Sequence, residues 1–115
     1  MIEDTILRKP LLSAALGSRT VTQVEVREIV FGPGQRTGRH SHPCPVLGYI
    51  AEGSALFQRE DEREAQTLDA GSAFYEPADA VIVRFDNASA SQPMKFIAYY
   101  LLNGKQELIH MLPQK

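Results

Sequence analysis

The chain has 115 residues, 43% apolar and 23% charged, with a net charge of -2, which are the proportions of one globular domain and not of a disordered or fibrous chain. That charge offers a phosphate backbone nothing, and no basic stripe interleaved with aromatics is present, so nucleic-acid binding is not expected. A lone cysteine, Cys44, rules out an internal disulfide, and the apolar stretch at 11–16 falls far short of the ~20 residues a bilayer needs, so a cytoplasmic protein with no membrane partner is expected.

Residues 1–20 read as an N-terminal arm that packs on the body of the protein or on a dimer partner, with a short helix at 11–16. Val24 and Val26 then alternate with Glu25 and Arg27, the pattern of a half-buried strand. After the Gly32-Pro33-Gly34 turn comes a nearly continuous apolar run at 46–51, suited to a strand covered on both faces. Segments 54–58, 65–68, 73–76, 80–85 and 94–102 continue the series, divided by glycines and prolines. The mixed charges at 59–64 read as a solvated hairpin tip without function. A second helical segment is expected at 105–112. Many short strands with little helix must protect their edges, and a closed or sandwich-like barrel over 21–103 does so, leaving 104–115 as a tail. The last long strand is apolar on both faces. One face fills the barrel; the other presents Ile97, Tyr99 and Leu101, which predicts a homodimer unless the arm covers them.

Only three histidines are present, and two of them, His40 and His42, stand two apart. On a strand that spacing aims both imidazoles at one point. Imidazole is a good ligand for zinc, copper, iron or nickel, but a pair is too few, so a third donor is required. Glu76 alternates with Phe74 in the strand before Pro77 and is the expected completion. Cys44 shares the parity of the histidines and is a soft donor, although Pro43 and Pro45 disturb strand geometry around it. Arg84 stands two residues beyond Ile82, so an inward Ile82 carries Arg84 inward too, where a guanidinium needs a carboxylate or an anionic ligand; at the rim it extends to solvent instead.

The frame around the histidines resembles the first motif of the cupin family, G-x5-H-x-H-x3,4-E-x6-G, with Gly34, His40, His42, Val46 and Gly53 on its spacing. The second motif, G-x5-P-x-G-x2-H-x3-N, finds its frame in Gly71, Pro77, Asp79, Ile82 and Asp86. The glutamate position holds Val46 and the third histidine position holds Ile82, so a four-ligand cupin centre is excluded. The resemblance spans about residues 24–102. It implies an all-β, single-domain antiparallel double-stranded β-helix, the jelly-roll or cupin barrel, with a metal at its mouth.

The expected function is therefore a small cupin barrel that holds a divalent metal through His40, His42 and Glu76, and a small-molecule ligand in a pocket formed with Cys44, Val46, Ile82 and Arg84. The metal's identity is open among zinc, iron, nickel, manganese and copper. Should it be an enzyme, the resemblance implies a dioxygenase or isomerase. The rival expectation is a non-enzymatic sensor or binding protein, favoured by the two apolar replacements. A purely structural dimer is the third.

Overall fold

The computed structural model describes residues 5–114, so the first four residues of the expected arm and Lys115 lie outside the described residues. Turns divide the chain into β1 (Gln23–Phe31), β2 (His40–Ser41), β3 (Val46–Glu52), β4 (Ser54–Arg59), β5 (Gln66–Asp69), β6 (Ala73–Glu76), β7 (Ile82–Asn87), β8 (Met94–Leu102) and β9 (His110–Met111). They form two antiparallel sheets, ordered β1-β8-β3-β6 and β5-β4-β7-β2-β9. The fold is all-β, an antiparallel double-stranded β-helix. Phe74 and Phe96 of the first sheet meet Phe57 and Phe85 of the second, and Phe31 joins them, with centroid separations of 4.8 to 6.3 Å. All five phenylalanines of the sequence thus belong to one cluster of edge-to-face and tilted rings that joins the sheets.

Glycine is required where this cluster touches β3. A Cβ on Gly48 would lie 2.0 Å from the Phe74 ring, its cross-strand neighbour. Gly53, in the turn between β3 and β4, has φ of +75°, and a Cβ there would meet the Pro93 carbonyl oxygen at 2.8 Å.

Three sequence expectations change. Neither 11–16 nor 105–112 is helical. The first is too short to hold a helix without tertiary support, since isolated helices below about 12 residues are marginal. It forms no regular element, and Leu12 lines a surface cleft with Phe57, Leu68 and Tyr75. The second spends its backbone on the barrel: β9 pairs with β2, and the Leu112 N–H donates to the Arg39 carbonyl. Third, the alternation in β1 is present, but Val24 and Val26 point outward, 51% and 55% exposed. Ile29 and Phe31 pack against the core and set the opposite parity, because a strand's inward positions must share one phase.

Candidate metal centre

β2 enters the interior beside β7, with His40 opposite Ile82. His40, His42 and Glu76 are all buried, between 2% and 5% exposed. The Nδ1 of His40 lies 2.7 Å from the Gly38 carbonyl oxygen, and the Nδ1 of His42 lies 2.6 Å from that of Leu108. A carbonyl can only accept, so each Nδ1 carries the proton and donates it. In the neutral rings each Nε2 then presents a lone pair, and both are directed at one carboxylate oxygen. Glu76 Oε2 stands 2.6 Å from His42 Nε2 and 3.6 Å from His40 Nε2. With both protons on Nδ1, this buried oxygen has no hydrogen-bond donor. Three donor atoms within 4.8 Å of one another, all short of an electrophile, suit a divalent cation. The carbonyls behind the rings are the outer partners that fix a ligating histidine's tautomer and orientation.

A proton can occupy the same gap. Burial works against a charged His42, yet the hydrogen bond and charge of Glu76, with the Leu108 carbonyl, raise its pKa above the ordinary value. Burial likewise opposes ionised Glu76, but hydrogen bonds from His40 and His42 and their charge hold its pKa below the ordinary carboxylate value.

The cluster forms one wall of a cavity of about 250 Å³. Most of the remaining wall is apolar: Phe31, Phe74, Phe85 and Phe96 with Ile29 and Ala98. Tyr100 also lines it, its ring edge-on to His42 with centroids 5.9 Å apart. Burial, reinforced by the nearby Glu76 charge, pushes the Tyr100 phenol up, so it remains protonated at neutral pH. Sequence reasoning passed over Tyr100 and the Leu108 carbonyl. The inward parity of β8 is the signal that marks Tyr100; nothing local marks Leu108.

The structure brings His40, His42 and Glu76 together and places Val46 on the cavity wall. Cys44 and Ile82 are fully buried but pack in the core without lining the cavity. At Cys44 the chain has left the strand for a bend at Pro43, so parity with the histidines no longer applies; burial pushes its thiol up and makes it a poorer thiolate donor. Arg84 is on the outside, its side chain 45% exposed and its Nε 3.7 Å from Asp86. The cause is a bulge. Ile82 pairs with Arg59 and Arg84 with the adjacent Gln58, which leaves Val83 unpaired and puts Ile82 and Arg84 out of phase.

Residues 27–100 match the Cupin domain family. The chain belongs to the cupin family. No curated protein matches it. Among solved structures, this cupin resembles a cupin-like protein from Thermotoga maritima, at 23% identity over 79% of this chain and 65% of that one, with a TM-score of 0.63. It also resembles the DMSP lyase DddQ from Ruegeria pomeroyi, at 15% identity over 76% and 42% of the two chains and a TM-score of 0.65. A third is a sugar phosphate isomerase of the cupin superfamily from Silicibacter pomeroyi, at 20% identity over 71% and 52%, with a TM-score of 0.61. The chain spans less than two thirds of the length of each, and at these identities the likeness is one of fold.

Proposed function

We propose that this cupin binds a divalent transition metal through His40 Nε2, His42 Nε2 and a Glu76 carboxylate oxygen, and a small organic molecule in the adjoining cavity. One observation carries the reading: Glu76 Oε2 is buried, faces two imidazole nitrogens, and lacks a donor. A cation bound by all three atoms, or a proton shared between the carboxylate and an imidazole, relieves that arrangement. A bound metal would supply Lewis-acid or oxygen-activating chemistry of the kind used in isomerisation, elimination or dioxygenation. The Gly38 and Leu108 carbonyls hold the rings, the phenylalanines exclude water, and Tyr100 holds a proton at its phenol oxygen beside the cluster. The lyase and isomerase among the structural relatives support an enzyme of this general kind.

The test is elemental analysis of protein purified without a histidine tag. Stoichiometric metal that disappears in His42→Ala supports the proposal; protein that neither carries metal nor takes it up on dialysis overturns it. A second reading, a non-enzymatic binding protein, draws support from the apolar Val46 and Ile82 at two ligand positions of the family motif. It predicts metal-free protein that still binds an organic ligand.

A homodimer belongs to the same proposal. Val24, Val26 and Val30 of β1 and Tyr99 of β8 form an exposed apolar face, and the arm carries exposed Ile6, Leu7 and Leu11. A second copy would bury both. We also place the protein in the cytoplasm, a reading supported by its single, free cysteine.

A further inference from the structure

We infer that the ligand of this cavity is a ring-bearing small molecule that offers its metal-binding atoms, with at most one negative charge, at one end and nothing charged at the other. The inference rests on the metal reading above and adds to it the class of molecule taken. Among the described residues no lysine or arginine lines the cavity. The cations nearby are directed elsewhere: Arg27 pairs with Glu25, Arg39 with Glu60 and Lys95 with Glu52, Arg84 lies outside beside Asp86, and Arg36, next to Thr37, is exposed and does not line the cavity. A phosphate or a carboxylate held within this cavity at the far end of a ligand would therefore lack a counter-ion. The charge of the centre sets the same limit. One carboxylate and two neutral imidazoles around a divalent ion leave one net positive charge, enough for a single anionic donor at the metal itself.

Polyhydroxylated ligands fail on hydrogen bonding. Outside the cluster the lining offers two hydroxyls, and that of Thr37 already donates to the Phe85 carbonyl at 2.7 Å. That leaves the Tyr100 hydroxyl and the acceptor lone pairs of Thr37 Oγ1 to serve all the hydroxyls of a sugar, and each unserved one is desolvated at a loss. A ring, by contrast, finds partners. Phe31 and Phe96 stand at 84°, and Phe31 and Phe85 at 88°, so edges and faces are both presented. The cavity of about 250 Å³ exceeds the roughly 150 Å³ that suffices for benzene, leaving space for a ring and a short head group.

The experiment uses cobalt(II)-loaded protein at fixed pH, with the visible absorption of the metal as readout and three probes that share a hydroxamic acid head. Benzohydroxamic acid adds a phenyl ring to that head, acetohydroxamic acid adds only a methyl group, and 4-carboxybenzohydroxamic acid adds a ring with a charge at its far end. The phenyl probe is expected to bind at least about tenfold more tightly than the methyl probe, because the ring is buried. It is expected to exceed the carboxylated probe by at least about tenfold, because that charge is unpaired. Phe31→Ala, altering a partly buried wall position, narrows the first ratio while the cobalt spectrum persists. Equal binding of the phenyl and methyl probes, or binding of the carboxylated probe as tight as the phenyl one, overturns the inference with the metal reading intact. Absence of any cobalt spectrum overturns both together.

Discussion

Glu76 faces Val46 directly across the β3–β6 ladder. Val46 occupies the glutamate position of the cupin motif, so a carboxylate absent from one strand is supplied by its antiparallel neighbour, whose side chain projects to the same face. His40 stands in the same relation to Ile82, the position of the missing histidine. A pair of substitutions tests the first relation. Glu76→Val is expected to lower zinc affinity by about 100-fold or more, since loss of even an outer partner costs 10- to 100-fold. Adding Val46→Glu to that variant returns the carboxylate from the other strand and restores most of the affinity, as read by calorimetry. A double variant no better than Glu76→Val would show that the two positions do not share one site.

The pH dependence follows from the two shifted groups. His42 has its pKa raised above 6.5, so its contribution to metal-free stability is complete below pH 6.5 and is lost as pH rises through the raised value. Glu76 has its pKa lowered below 4.5, so its contribution is complete above pH 4.5 and is lost as pH falls through the lowered value. With respect to this pair, metal-free protein is most stable between pH 4.5 and 6.5. Zinc competes for the nitrogen that the proton occupies. The zinc-induced rise in Tm is therefore expected to grow between about pH 6 and 8. Thermal denaturation with and without zinc checks this, and a rise that is independent of pH counts against His42 as a ligand.

Gly48→Ala places a methyl group where the Phe74 ring lies, and Phe74 is held by Phe57, Phe85 and Phe96 at 5.9, 4.9 and 6.1 Å. The expected loss is about 1–3 kcal/mol, the usual penalty of overpacking a core, measured by urea denaturation. An unchanged midpoint would mean that the ring moves freely.

Asp79, two residues after Pro77, holds a left-handed φ of 65°, and its N–H donates to the His42 carbonyl at 2.7 Å. It occupies the glycine position of the second cupin motif. Asp79→Gly is expected to raise stability by about 0.5–1 kcal/mol, and Asp79→Val to lower it by about 1 kcal/mol or more, because a β-branched side chain fits this backbone worst. Both are read from Tm, and a stabilising Asp79→Val would contradict the strain.

The pattern of turns, the apolar runs between them and the H-x-H frame were sufficient for the barrel and for the meeting of His40, His42 and Glu76, since period-two alternation is a local property that each strand carries by itself. Local patterns also misled. The valines of β1 alternate correctly yet face outward because Ile29 and Phe31, several residues on, set the phase. Arg84 lies outside because an unpaired Val83 breaks the alternation after Ile82, and a bulge depends on the register of a partner strand, which β7 alone does not encode. Within 105–112 only His110–Met111 is a strand, and it forms because β2 leaves an edge to pair with, which also brings the Leu108 carbonyl to His42. What the amino-acid order determined by itself was which residues can act together. Which way each one points was decided by pairing between strands distant in sequence, because a strand's phase is fixed by what it packs against.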